Sequence, residues 1–282
     1  MKKLLIITFL FSNFQSFSSD EGSDKIIKKY LKAIGGAKEW EAVKTIKTIR
    51  HEERNALYDA ISTISILRDK GYRKEFIYSG GTPSVFGFYN NKGWLAVSNF
   101  KMTKTPLILE SSDILFKMKD SIFIEEKTHD IKKVKRKQID DIADNNNPYY
   151  QYHFFKWQIQ MPWNFTDYET KGYKVTYKGD SKISIDDVSE LEMISNTGDT
   201  TRYFFDKKTS LLLKAIHKNM QLDLSNYKQV NKVKIPYEVT EIMTDYKFPH
   251  AKDITPFATT YIIDQVKLNE PMDEKIFMKP KQ

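Results

Sequence analysis

Tyr173-Lys174-Val175-Thr176-Tyr177-Lys178 alternates aromatic or aliphatic side chains with polar ones, then meets Gly179-Asp180. A period of two places one set of side chains on a core face and the other toward water, as a half-buried strand does. Gly179-Asp180 reads as the turn that ends this strand. The pattern recurs downstream. Leu191 and Met193 alternate with Glu190 and Glu192, and further runs lie at 203–205, 211–216, 232–239 and 260–268. Asn196-Thr197-Gly198 and Asp206-Lys207-Lys208 punctuate them. Upstream, 61–67, 72–78, 84–89 and 94–97 are short β-branched or aromatic runs, separated by Gly80-Gly81 and Asn90-Asn91-Lys92-Gly93. Short strands at regular spacing predict one large antiparallel sheet, curved or closed.

Helical periodicity is confined to a few places. Ile26, Ile27, Tyr30, Leu31 and Ile34 form one apolar stripe after a capping Ser23, and Gly35-Gly36 stops it. Ala37, Trp40 and Val43 share a face of a shorter turn. Leu107, Ile108, Ile114, Leu115 and Met118 predict one or two short helices between Pro106 and Met118. No repeat or linker divides the chain.

The composition is that of a globular protein: 40% hydrophobic and 29% charged residues over 282 positions. Phe (18) and Tyr (16) are abundant, which favours strands. The N-terminus reads as a secretory signal. Lys2 and Lys3 precede an apolar run from Leu4 to Phe14, and Ser16-Phe17-Ser18 supplies small residues at the cleavage positions. This predicts a signal peptide over 1–18 and a mature chain from Ser19. The sequence has no cysteine, so neither disulfides nor a lipid-bearing cysteine are expected, and the exported protein is read as soluble and periplasmic. Losing Lys2 and Lys3 lowers the formal charge from +8 to +6. Such a basic balance suits an anionic membrane, and export argues against nucleic acid.

Motifs for catalysis are missing. His51, His129, His153, His217 and His250 are scattered, with no metal-ligand spacing, no nucleophile turn and no phosphate-cradling loop. The sequence therefore predicts a binding protein, not an enzyme, with no cofactor and no metal. His51-Glu52-Glu53 reads either as an acid/base cluster or, as such clusters more often are, as a solvated strand or loop. The cationic run Lys132, Lys133, Lys135, Arg136 and Lys137 reads either as a surface for anionic membrane or as a solvated face. Asn164-Phe165-Thr166 matches the glycosylation pattern. The aromatics of the first meander, Phe76, Tyr78, Phe86, Phe88 and Trp94, either pack as core beneath helices or line an apolar cavity.

Several stretches together resemble the outer-membrane lipoprotein-sorting proteins, relatives of the LolA lipoprotein carrier. They begin with Ala33-Ile34-Gly35-Gly36 followed by Trp40 and Val43-Lys44-Thr45-Ile46, and then the hairpin Tyr89-Asn90-Asn91-Lys92-Gly93-Trp94. In the second half come Tyr168-Glu169-Thr170-Lys171-Gly172-Tyr173-Lys174-Val175, and Tyr203-Phe204-Phe205-Asp206-Lys207-Lys208-Thr209 with Leu213-Lys214. Tyr227-Lys228 with Val230 and Ile235-Pro236-Tyr237 follows, and Leu268-Asn269 with Pro271, Ile276-Phe277 and Pro280 closes the series. The match spans most of the chain after the signal. Two departures stand out: 119–161 looks like an insertion, and Asn231-Lys232 stands where a glycine is usual.

The resemblance implies an α+β fold over 19–282, a large curved antiparallel sheet forming an unclosed half-barrel with helices over its concave face. It implies a cavity for acyl chains, with Phe76, Tyr78, Phe86, Phe88, Trp94, Tyr203 and Phe205 as candidate lining residues. The expected function is a periplasmic carrier or binder of a lipid or lipid-modified protein in lipoprotein sorting, with membrane donor and acceptor proteins as partners. An envelope-stress sensor or protein-interaction module on the same scaffold is the alternative.

Overall fold

The structure, a computed structural model, describes residues 20–54, 58–78, 83–90, 92–97, 107–110, 121–124, 131–134, 163–244 and 257–278. Two helices come first, α1 (Glu21–Ala33) and α2 (Ala37–Ala42). Six strands follow: β1 (Thr45–Arg54), β2 (Tyr58–Leu67), β3 (Gly71–Tyr78), β4 (Pro83–Tyr89), β5 (Lys92–Val97) and β6 (Leu107–Glu110). After the short strands β7 (Ser121–Ile124) and β8 (Ile131–Val134) come β9 (Lys174–Ile183), β10 (Asp186–Ile194), β11 (Thr200–Asp206) and β12 (Leu212–His217). The chain ends with β13 (Met220–Val230), β14 (Val233–Met243) and β15 (Phe257–Leu268).

Thirteen of these strands form one sheet in the order β6-β5-β4-β3-β2-β1-β15-β14-β13-β12-β11-β10-β9. Every pairing is antiparallel, and each joins chain neighbours except β1 with β15, where the two ends of the chain meet at the middle of the sheet. The sheet does not close on itself, so the fold is the expected unclosed half-barrel of the α+β class. Within 119–161, β7 and β8 pair with each other as a separate two-stranded sheet. The signal segment 1–18, Ser19 and the rest of 119–161 lie outside the described residues, as do the side chains of Lys132, Lys133, Lys135, Arg136 and Lys137.

Helix α1 buries Ile27, Tyr30 and Leu31 of the expected stripe. Its N-cap is Asp20 rather than Ser23. The Asp20 carboxylate accepts the Ser23 N–H at 2.7 Å, while the Ser23 hydroxyl donates back to the Asp20 carbonyl at 2.8 Å. The carboxylate thus satisfies one of the N–H groups left without a helical partner at the start of α1. Gly35 ends the helix at φ +114, and a Cβ there would stand 2.2 Å from the Lys232 carbonyl oxygen. The helix end therefore lies directly on the β13–β14 turn, a seat that only glycine allows. In that turn Asn231 occupies the left-handed region at φ +53, which asparagine tolerates.

Two expectations are corrected. Leu107–Glu110 is an edge strand and not a helix, because three consecutive apolar residues carry no period and pairing with β5 decides their state. Gly179-Asp180 does not end its strand. β9 runs on to Ile183, and the register slips by one residue there, with Tyr177 opposite Leu191 and Gly179 opposite Glu190. This is a β-bulge, which glycine at φ +116 accommodates; the reversal comes at Ser184, φ +55. At the glycosylation pattern, Asn164 is buried at 3% exposure.

Candidate ligand-binding site

The concave face carries a cavity of about 170 Å³ between sheet and helices. Tyr30 of α1 and Trp40 of α2 wall one side. The floor is set by register. Ile46, Thr48 and Arg50 alternate along β1, opposite Ile66, Ile64 and Ser62 of β2, and Ile66 in turn lies opposite Tyr72 of β3. All of these except Ser62 meet the cavity. Leu222, Leu224 and Tyr227 of β13, with Ile235, Pro236 and Val239 of β14, complete an apolar wall, and Lys234 adds a second cation. The phenol of Tyr227 is spent inside the wall, donating to the Leu212 carbonyl at 2.7 Å.

One side of the cavity is held by aromatic packing. The Trp40 indole N–H donates to the Ile34 carbonyl at 3.1 Å, and that of Trp163 donates to the Trp40 carbonyl at 2.9 Å. Their rings meet edge to face, 6.0 Å apart at 88°. Both indoles are therefore buried with their donors satisfied. Phe165 stands edge-on to Tyr30 at 5.2 Å, to Tyr203 at 4.8 Å and to Phe205 at 5.6 Å.

The aromatics expected from the sequence divide accordingly. Tyr203 and Phe205 are buried in this aromatic stack, behind Tyr30. Phe88 is buried in the core at a position opposite Tyr72. None of these three lines this cavity; Phe205 lines a smaller one of about 80 Å³ beside Ile26 and Lys29. The strands place Phe76 opposite Ser62, Tyr78 opposite Ala60, Phe86 opposite Lys74 and Trp94 opposite Gly87; the side chains of these four lie outside the described residues.

Beyond Arg50 the same face turns ionic, a feature that sequence reading missed. Glu52 is fully buried, contrary to the solvated reading of His51-Glu52-Glu53; the exposed members are its neighbours. Its carboxylate meets the Lys74 ammonium at 2.8 Å and lies 3.7 Å from Arg50 Nη2. Arg50 Nε donates to the Ser62 hydroxyl at 3.1 Å, and its guanidinium stacks 3.6 Å from the centre of the Tyr261 ring. The Tyr261 phenol donates to Glu241 at 2.6 Å. Burial lowers the Lys74 pKa to about 8 against the pull of Glu52. Burial alone would raise the Glu52 pKa, but Lys74 and Arg50 outweigh it and hold the carboxyl below its usual range. Burial raises that of Glu241. The signal was present in the sequence: Arg50 and Glu52 are in phase with Ile46 and Thr48, and so point inward once β1 is recognised as a strand. Six charged residues from Lys44 to Arg54 hid that strand.

Among the described residues no group of three or more His, Asp or Glu could hold a metal, and no helix is long and apolar enough to cross a membrane.

No protein-family model matches the sequence, and no curated protein matches it significantly. Solved structures do. An outer membrane lipoprotein-sorting protein domain from Vibrio parahaemolyticus matches with a TM-score of 0.50 at 12% identity, over 91% of this chain and 96% of that one. A LolA superfamily protein from Nitrosomonas europaea matches with a TM-score of 0.42 at 10% identity, over 91% and 97%. The first of these carries the assignment of fold, and the resemblance drawn from short sequence stretches extends to the whole architecture: the chain is built on the half-barrel of the lipoprotein-sorting domains.

Proposed function

We propose that this protein is a periplasmic carrier or binder of lipid, or of a lipid-modified protein, that holds an acyl chain between sheet and helices. The observation that supports it is the apolar cavity of about 170 Å³ between α1, α2 and the concave face. Burial in such a cavity stabilises a chain by about 0.8 kcal/mol per CH₂ group. A cavity of roughly 150 Å³ accommodates one benzene-sized ligand. This space therefore suits a segment of one chain, and a bundle of chains requires the helices to move outward. The reading is one of binding and release without turnover, and the fold of lipoprotein-sorting domains supports it.

Filling the cavity tests the reading. Leu222 is 1% exposed and part of the wall. The substitution Leu222→Trp is expected to weaken binding of a fluorescent fatty-acyl probe by tenfold or more. It should cost no more than about 1–3 kcal/mol of stability, the usual range for overpacking. Unchanged probe affinity in a folded Leu222→Trp protein would contradict an acyl-chain site in this cavity.

A further inference from the structure

We infer that the cavity selects a single-chain amphiphile with an anionic head, a carboxylate, which docks on Arg50. The inference rests on the acyl-chain reading above and names its ligand class. Three observations carry it.

The first is the sign of the charge. Arg50 and Lys234 both line the cavity, and no acidic residue is among the described lining residues. Glu52 and Glu241, the acids of the neighbouring cluster, are not among them. The second is the state of the Arg50 donors. The side chain is more than nine-tenths buried, yet among the described residues its one hydrogen bond uses Nε, to Ser62. Nη2 lies 3.7 Å from Glu52, beyond hydrogen-bond reach. A guanidinium buried in an apolar wall with donors still to spend is poised for a planar, two-oxygen partner, which a carboxylate supplies in bidentate geometry.

The third is its rigidity. Stacking on Tyr261 and the bond to Ser62 fix the plane of the guanidinium. Glu52 is held by Lys74 at 2.8 Å, so its charge does not depend on Arg50 alone. A ligand carboxylate therefore need not displace an existing tight pair. Polarity is graded along β1, from Ile46 through Thr48 to Arg50, which orients the ligand with its tail toward Trp40 and its head toward the ionic cluster.

The test is a calorimetric titration of the full chain with decanoate and with 1-decanol at pH 7.5. The wild type is expected to bind decanoate at least about tenfold more tightly than decanol, the worth of one charge-assisted hydrogen bond in a buried site. Arg50→Gln should remove that preference by weakening decanoate at least about tenfold more than decanol, and Arg50→Lys should keep part of it. Equal affinity for the two ligands in the wild type, or a preference that survives Arg50→Gln, would overturn the head-group site while leaving the acyl-chain reading intact. Binding of neither ligand would overturn both. If Arg50→Gln fails to fold, the wild-type comparison and Arg50→Lys decide the question.

Discussion

Replacing Glu52 by glutamine is expected to destabilise the protein by about 3–5 kcal/mol at neutral pH, as measured by urea denaturation. The carboxylate is fully buried and is the acidic partner shared by Lys74 and Arg50. Removing its charge leaves two buried cations with less compensation than their burial requires. The pH dependence separates this cause from a simple packing defect. The Glu52 pKa is lowered in the folded state, so its stabilisation is present above the unfolded value and is lost as the pH falls through the folded one. Lys74, already lowered to about 8, loses its raising partner in the variant and falls further. The unfolded chain then binds more protons than the folded one at Lys74 up to the ordinary lysine range, so the variant regains stability as the pH rises. The deficit of Glu52→Gln should thus be greatest near neutrality and shrink on both sides. A deficit independent of pH would show that the ion pairs contribute nothing specific.

Phe205→Ala is expected to cost about 3–5 kcal/mol as well, for a different reason. Phe205 is 2% exposed and packs against Tyr30 at 5.1 Å and Phe165 at 5.6 Å, within the aromatic stack that backs the helix. It does not line the cavity between sheet and helices. Under conditions where the variant remains folded, its affinity for decanoate should stay within about threefold of wild type. Lost affinity without lost stability would instead assign Phe205 to the ligand, as the sequence resemblance implies.

The contrast between these two residues shows what the sequence makes legible. Strands such as β9 and β10 declare themselves because Tyr173, Val175, Leu191 and Met193 alternate with polar residues. The half-barrel follows from many such strands with few helices. β1 does not declare itself, because its inward positions change from Ile46 to Thr48, Arg50 and Glu52 along one strand. Charge at an inward position reads as solvent exposure until the partners, Lys74 from β3 and Tyr261 from β15, are brought alongside by pairing. Those partners are 24 and 211 residues from Arg50 in the chain. The same limit governs the cavity. Its walls combine α1, α2, β1–β3 and β12–β15, so no local run of aromatics marks it. Phe88, Tyr203 and Phe205 were conspicuous in the sequence because they are large and clustered, which is also what makes them core.

An acyl chain is expected to occupy the space between the helices and the concave face. Isotope-filtered nuclear Overhauser spectroscopy of decanoate on methyl-labelled protein tests it most directly. Contacts are expected from the chain protons to the methyl groups of Ile64, Leu222, Leu224 and Ile235, all buried residues of the cavity wall. Contacts confined to the exposed Ile61, Ile185 and Ile262, or none at saturating decanoate, would contradict it.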